Sequence, residues 1–442
     1  MRKTFLTQTL SLCLMCFAGS SIAVAQEEYE TQAIDLSLST AVLFALEENP
    51  DLLIAGEKIE QLEEFISEKK ADYWPRVELS AEGGRQYITP NAGKETNNYG
   101  NVTLQVTQKV FDGYATSSQV NQREELTNSE RYKALNQRER VVLNTMTFYL
   151  DVLLYQSEIA TAERFVNEID KMVQVISEMY QAGAISKAMH DYAVSRQASA
   201  YLDLNRAKAS YNDAVSNLEF LTGALPDFAA VDPDVLNPEK YDFDVYFALA
   251  QEQNSRVKIN DADLSALKHK LAAEKGGYYP QLDFNVSAEQ AHDDGGDVGR
   301  QRDVKAYVSM RYEIFDGFFK KHRKNRVNSE IRELEYREMK IVKELKRELQ
   351  LAYNQIVAIQ DAVKAVHLEI KTNTAVKILN KENFRLGNIN VIELIEGEER
   401  LKAAYQKRHR LKYDFYLNSY SFLINSTIVN DEYFCASCTE DF

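Results

Sequence analysis

After residue 25 the chain has no apolar run of about 18 residues, the length a membrane-crossing helix needs. Any passage through a bilayer would have to be made by strands. Glycine and proline number only 17 and 7 in 442 residues, so helix breakers are scarce and long uninterrupted helices are expected. The six histidines, at 190, 269, 292, 322, 367 and 409, show no metal-ligand spacing. Nor is there a glycine-rich phosphate loop, a serine nucleophile elbow, or a carboxylate pair in a pocket-like context. No enzyme, cofactor or metal site is expected. Positive charge is in deficit, with a formal net charge of -15, which excludes nucleic acid as a partner because phosphate binding needs a concentrated cationic surface. Cysteine is limited to four. Cys435 and Cys438 form a Cys-Ala-Ser-Cys group with no βαβ pattern around it, read either as a local disulfide or idle thiols, or as a redox or metal pair.

The other two cysteines, Cys13 and Cys16, fall in the first 25 residues, which read as a signal peptide. Arg2 and Lys3 precede an apolar run from Leu10 to Ala18, and Ala23-Val24-Ala25 stands before Gln26, the layout of a cleavable secretory leader. Neither cysteine follows the small residue a lipoprotein site wants.

Two long stretches dominate what remains. Val141, Phe148, Tyr155, Ala162, Ile169 and Ile176 repeat every seven residues, and Thr145, Val152, Ile159, Val166, Val173 and Tyr180 interleave with them. These are the seam positions of a coiled-coil-like helix. The design returns as Leu345, Ala352, Ile359 and Val366 with Leu349, Ile356, Val363 and Ile370, each 204 residues after its counterpart. Phe111-Asp112-Gly113 and Phe315-Asp316-Gly317 keep that register, as do Gly183 and Gly387, while Trp74-Pro75 and Tyr279-Pro280 are 205 apart. The chain is a tandem duplication.

Taken in order, each repeat predicts a helix, a β-hairpin, a long helix and a return helix. The first repeat spans 26–235, with hairpin 77–111, long helix 114–180 and return helix 186–222. The second spans 236–425, with hairpin 281–315, long helix 318–384 and return helix 391–424, before a tail at 426–442. The hairpins alternate with period two: Val77, Leu79 and Ala81 against Glu78, Ser80 and Glu82, and Val304, Ala306, Val308, Met310 against Lys305, Ser309 and Arg311. Such strands suit a bilayer crossing. Tyr73, Trp74, Phe111, Tyr278, Tyr279 and Phe315 flank them and read either as membrane-interface aromatics or as packed turn residues. Four strands leave two open edges, which hydrocarbon does not tolerate. Copies must therefore close a barrel, and the strand count per chain alone leaves dimer, trimer and tetramer open.

The duplicated order, together with Ala45-Leu46-Glu47-Glu48-Asn49-Pro50-Asp51, Leu104 to Gly113, and Leu218-Glu219-Phe220-Leu221-Thr222-Gly223, resembles the TolC family of outer-membrane efflux and secretion ducts. The branch that serves type I secretion is the most similar. The resemblance implies a mainly α fold with transmembrane β: a homotrimer in which four strands per chain make a 12-stranded β-barrel and the long helices make an α-barrel reaching into the periplasm. It further implies outer-membrane lipid around the strands, a periplasmic adaptor (a membrane fusion protein) and an inner-membrane ABC or other transporter as partners. The turns at Gly183 and Ile185, and at Gly387 and Ile389, would meet the adaptor. Phe384, Ile389, Glu393 and Glu396 fall on the family's periplasmic gate. There Ile389 replaces an arginine and Phe384 a tyrosine of the best-known members, and Met189 stands where an acidic residue is frequent.

Blander readings stand beside these. Glu393 and Glu396 suit a solvated helix face as well as a ring of carboxylates. His292 to Asp297 reads as an exposed hairpin loop rather than a calcium loop. The basic run Lys320, Lys321, Arg323, Lys324 and Arg326 suits a solvated helix start or contact with anionic headgroups. As to function, a passive duct for protein secretion, a duct for small-molecule efflux, and a periplasmic coiled-coil adaptor or scaffold are the alternatives, and the scaffold leaves the hairpins unexplained.

Overall fold

The computed structural model describes residues 34–88, 95–223, 228–233, 242–293 and 299–426. The signal segment, the tail with Cys435 and Cys438, and most of the 292–297 loop lie outside the described residues.

Each repeat opens with two helices joined at an asparagine. In the first, β1 (Ile34–Leu36) leads to α1 (Leu38–Glu48) and α2 (Pro50–Lys70), and Asn49 caps α2 by accepting from the Asp51 amide at 2.9 Å. In the second, α5 (Phe243–Gln253) and α6 (Ser255–Gly276) meet at Asn254, which accepts from the Arg256 amide at 3.0 Å. A side-chain cap at this point satisfies an amide that the new helix cannot, and lets the chain turn sharply between helices. Between the repeats, β4 (Phe228–Ala230) pairs in parallel with β1.

The strands β2 (Arg76–Ile88) and β3 (Glu95–Phe111) form one hairpin, and β5 (Gln281–His292) and β6 (Arg300–Arg311) the other. All four lie in one antiparallel sheet in the order β2-β3-β5-β6. The 205-residue offset holds along the first strand of each hairpin and the 204-residue offset along the second, with pairing preserved. The one-residue difference between repeats therefore lies at the hairpin tip. At about 3.4 Å per residue and a tilt near 40°, strands of this length cross roughly 30 Å.

The long helices α3 (Ala115–Gln181) and α7 (Phe319–Arg385) have 67 residues each, roughly 100 Å at 1.5 Å per residue. The return helices α4 (Lys187–Thr222) and α8 (Val391–Ser426) follow at the same 204-residue offset. The seven-residue beat becomes burial: Val141, Val152, Ala162, Val166, Ile169, Val173 and Ile176 are buried on α3, and Leu345, Leu349, Ile356, Ile359 and Val366 on α7.

Each strand passes to its long helix through the same device. Gly113 and Gly317 have φ of 67° and 65°, followed by Tyr114 and Phe318 in the left-handed region as well. Asp112 accepts from the Thr116 amide, and Asp316 from the Lys320 amide, both at 2.9 Å. The aromatics on either side pack edge to face, Phe111 on Tyr114 and Phe315 on Phe318. Two consecutive left-handed residues are costly for tyrosine and phenylalanine, and the aspartate cap and ring contact offset that cost.

The main core gathers α1, α3, α4 and α8 around Val142, Met146, Tyr149, Leu218 and Tyr413. Tyr149 Oη lies 2.6 Å from both Leu36 O and Val231 O and accepts from the Val231 amide at 3.0 Å. It thereby ties β1 and the inter-repeat segment to α3, and burial pushes its hydroxyl up to about 12. A second core, nearer the helix turns, joins α3 and α4 to Val391, Leu394 and Ile395 of α8. No described helix is long and apolar enough to cross a membrane.

Candidate functional site

The sheet presents an apolar face to the outside. Leu79, Val102, Leu104, Val304, Val308 and Met310 are exposed, although in a compact protein such residues would line a core. The opposite face is polar and cross-linked between strands. The Asn101 amide donates to Glu289 at 2.7 Å, Thr107 to Asn285 at 3.1 Å, and Asn285 in turn to Ser309 at 3.0 Å. Aromatics mark one end of this sheet. Tyr73, Trp74, Tyr278, Tyr279 and Phe315 are exposed and Phe111 is half-buried, all at the helix-proximal end of the strands. Tyr114, Phe318 and Phe319, which the sequence reading did not single out, are exposed in the same band. Their signal was present as the aromatic after each Phe-Asp-Gly.

At the opposite end of the molecule, about 100 Å away along the helices, the two turns have matching geometry. Gly183 and Gly387 both have φ of 75°, which ends each long helix in the left-handed conformation that glycine adopts without strain. The Gly183 amide donates to Tyr180 O at 2.9 Å and that of Gly387 to Phe384 O at 3.0 Å. Ile185, Phe384 and Ile389 pack against the second core rather than standing free. Glu393 and Glu396 are both exposed. Glu393 has a local partner: its amide donates to Asn390 Oδ1 at 3.0 Å, and its carboxylate accepts from Asn390 Nδ2 at 3.1 Å. The Asn390 side chain thereby caps the start of α8 and holds the Glu393 carboxylate beside it.

A charged cluster sits between the helix pairs behind these turns. Glu168 of α3 meets Lys381 at 2.6 Å and Lys377 at 3.2 Å on α7, and Lys377 reaches Glu398 of α8 at 3.0 Å. Glu398 is buried and one of its carboxylate oxygens has no hydrogen bond. The hydrogen bond from Lys381, with that from Lys377, holds the Glu168 carboxyl down at about 2. Further along, Lys402 meets Asp203 at 2.6 Å while lying over the Phe165 ring, and Arg410 meets Glu158 at 3.4 Å. His409 bonds Thr161 at 3.1 Å. Burial, reinforced by Arg408, Arg164 and Lys412, pushes its imidazole down to about 4.

Two surfaces remain open because the chain contains only two repeats. Helix α6 packs on α3 of the other repeat: Ser255 bonds Asn136 and Glu139, at 2.8 and 2.6 Å, and a Cβ on Gly276 would lie 2.9 Å from Ala115. Positions 255, 262, 266, 269, 273 and 276 therefore make up the α6 face turned to α3. The related face of α2 carries Glu57, Glu64 and Glu68 and is open, forming with Glu60, Gln61 and Phe65 a shallow groove. On α7, the counterparts of Asn136 and Glu139 are Lys340 and Lys343, which with Tyr336, Met339, Glu344 and Arg347 line another open groove. One open face is acidic and the other mainly basic, with Glu344 lying 3.7 Å from Lys340.

Residues 44–224, essentially the whole first repeat, match the family described as outer membrane efflux protein. In its first repeat the chain is similar to that family. The likeness extends over both repeats in curated relatives. Outer membrane efflux protein BepC of Brucella suis is 21% identical over 403 residues, covering 89% of this chain and 86% of BepC. Alkaline protease secretion protein AprF of Pseudomonas aeruginosa is 20% identical over 401 residues, covering 87% and 82%. In fold, the Campylobacter jejuni CmeC outer membrane channel superposes with a TM-score of 0.76 at 15% identity, over 95% of this chain and 96% of that one.

The match gives the outward apolar sheet its environment, the outer membrane, whose lipid the strands face. It also confirms the mainly α fold with a four-stranded antiparallel sheet expected from the duplicated pattern. The sheet is open in one chain, with β2 and β6 as its edges. Among the described residues no group of three or more metal-ligating side chains comes together.

Proposed function

We propose that this protein is the passive exit duct of a tripartite export system. It is a homotrimer whose twelve strands close a barrel in the outer membrane and whose helices continue as a tunnel through the periplasm. The observation that carries the reading is the pair of unsatisfied repeat surfaces. Within the chain, repeat one meets repeat two through β3 on β5 and α3 on α6. The same contact made between copies would join β6 to the next β2 and α7 to the next α2, a head-to-tail interface that generates rings. The basic α7 face and acidic α2 face suit that contact in charge. Closure also removes both sheet edges, which in hydrocarbon would each leave backbone groups unpaired at several kcal/mol apiece.

A periplasmic adaptor would grip the turns at Gly183–Ile185 and Gly387–Ile389, and an inner-membrane transporter, of ABC or other type, would load the cargo. Phe384, Ile389, Glu393 and Glu396 stand at the mouth where a constriction would form. The duct does no energy-yielding chemistry. Type I protein secretion is the favoured system, supported by the match to a relative named for alkaline protease secretion over most of both chains. Small-molecule efflux is the second reading, favoured by the comparable match to BepC, named as an efflux protein.

Repeat symmetry specifies the register between copies. Val106 faces Val286 and Leu104 faces Ala288 on β3 and β5, so Met310 should face Ala81, and Val308 should face Gly83, of the next copy. With Cys435→Ser and Cys438→Ser as background, a Met310→Cys/Ala81→Cys chain should oxidise to covalent multimers on a denaturing gel. Met310→Cys/Glu82→Cys should not, because a one-residue slip turns the side chain to the other face. Cross-linking by the second pair alone would refute this closure.

A further inference from the structure

The outward face of the sheet changes character toward the hairpin tips. As far as the row of Leu79, Leu104, Ala288 and Val304 it is apolar, and beyond that row it carries arginine. The period-two alternation that puts Val77, Leu79 and Ala81 outward puts Arg85 there as well, and the alternation of Met310, Val308 and Val304 continues to Arg302 and Arg300. All three guanidinium groups are exposed, and none has an ion-pair partner among the described residues. Glu78, Glu82, Asp283, Glu289 and Asp303 alternate onto the polar face instead, so no described strand residue supplies an outward carboxylate. Asp293, just past β5, is engaged by His292 at 3.6 Å and by the Gly299 amide at 2.6 Å.

The two hairpins build the same pair. Arg85 of β2 stands across from Asn98 of β3, and Arg302 of β6 across from Gln290 of β5. By the repeat offsets Arg85 corresponds to Gln290 and Asn98 to Arg302, so each hairpin sets one guanidinium beside one carboxamide with the two strands exchanged. Directly opposed residues on one face have Cβ atoms about 5 Å apart, close enough for both side chains to hold one anion. Both arginines stand nine residues from the helix-proximal ends of their strands. At about 3.4 Å per residue and a tilt near 40°, that is roughly 23 Å along the membrane normal, against an apolar band about 25 Å tall in outer-membrane barrels. The pairs therefore lie at the headgroup level of the leaflet away from the helices, where a lipid-facing charge is tolerated as it is not at the midplane. Next to the second pair the outward surface is hollowed. Gly83 and Gly100 stand opposite each other beside His292 and form, with Ala81, Val102 and Gln290, a shallow groove.

We propose that these pairs, Arg85 with Asn98 and Arg302 with Gln290, bind the phosphates of a phosphorylated glycolipid in the outer leaflet. The guanidinium offers phosphate a planar two-pronged fork, and the carboxamide adds an N–H donor. Arg300 strengthens the positive potential at the second pair, and the groove beside Gln290 takes part of the headgroup. Directly below each pair the surface runs into the exposed Leu79, Leu104 and Val304, which meet the acyl chains of the same molecule. That continuity selects a lipid over a free anion. The inference rests on the outer-membrane setting of the sheet and not on the export role or the ring.

The test uses the full-length, detergent-purified protein with bisphosphorylated lipid A as the probe, its retention followed by native mass spectrometry across a lipid titration. The parent should bind this lipid at a concentration about tenfold or more below that needed for the same lipid stripped of its phosphates. Arg85→Gln/Arg302→Gln should raise the half-saturating concentration about tenfold or more. Arg76→Gln/Lys305→Gln removes the same charge from the polar face of the same two strands, and should leave it within about twofold. Inorganic phosphate in large excess should not displace the lipid. Equal binding of the dephosphorylated lipid by the parent would overturn the inference whether or not any variant folds. Undiminished binding by the outward double variant, an equal loss in the polar-face variant, or displacement by inorganic phosphate would overturn it too, the last in favour of a free-anion site. The parent's conductance in planar bilayers free of lipid A tests the duct separately.

Discussion

At the scale of single residues, the chemistry at the turn end is set by partners far apart in sequence. Glu168 and Lys381 are 213 residues apart and Lys402 and Asp203 are 199 apart, so no short spacing announced them. Glu393 and Glu396 attracted notice as neighbours on one helix face, yet the Asn390 to Glu393 bonds show that Glu393 also has a local task in starting α8. If the two carboxylates ring the mouth as proposed, Glu396→Gln should reduce cation preference measured by reversal potential. Glu393→Gln should reduce it too and also lower thermal stability, because Gln keeps the acceptor but loses the charge near a helix N-terminus. Unchanged selectivity in both would remove the ring assignment. His409 supplies a pH test outside the mouth. Its imidazole is pushed down from 6.5 to about 4 by burial, so above pH 6.5 it is neutral in both folded and unfolded chains and has no effect on the balance between them. As pH falls from 6.5 to about 4, the unfolded chain takes up a proton that the folded chain refuses, and stability is lost. His409→Gln should therefore flatten the fall in unfolding midpoint over that window. A slope equal to that of the parent would contradict the assignment.

At the scale of elements, the sequence was most informative where one periodicity persisted. The seven-residue beat announced α3 and α7, and period-two alternation announced the hairpins, because in both the apolar positions must reach a common face. The partner of that face was less legible. Alternation shows that one side of a strand is apolar, but the joining of the hairpins through β3 and β5 depends on a contact between Gly100 and His292 and beyond, across the repeat boundary. The strand-to-helix junction shows how repeat-related residues come to have different neighbours. A Cβ on Gly113 would collide with the Gly276 carbonyl and lie 2.8 Å from Tyr279 Cβ, whereas one on Gly317 would meet nothing within 4 Å among the described residues. In the proposed ring, repeat symmetry would place Ala71 and Trp74 of the next copy against Gly317. Both alanine variants place a side chain in the left-handed region, at about 1 kcal/mol. Gly113→Ala should in addition disturb folding of the single chain, while Gly317→Ala should chiefly weaken association, lowering the temperature at which the oligomer dissociates. Equal loss of folded chain in both variants would contradict the repeat-related contact.

At the scale of the whole molecule, the duplication carries most of the information about assembly. A chain with two repeats has one repeat interface inside it and half of the same interface at each end, exposed as the β2 and β6 edges and the α2 and α7 faces. The pattern of charges on those faces was present in the sequence. It became readable only when α6 on α3 showed which side of α2 faces outward, because a run of glutamates alone looks like any solvated helix. How many copies would close the proposed ring, and which cargo would pass, depend on the assembly and its partners, and short motifs do not encode them. The most direct measurement is the single-channel conductance of the detergent-purified oligomer in a planar bilayer, with its mass determined in the same preparation. A trimer that inserts and gives discrete conductance steps is the expected result. A species that stays in water, or that inserts without conducting under any applied voltage, would contradict the duct.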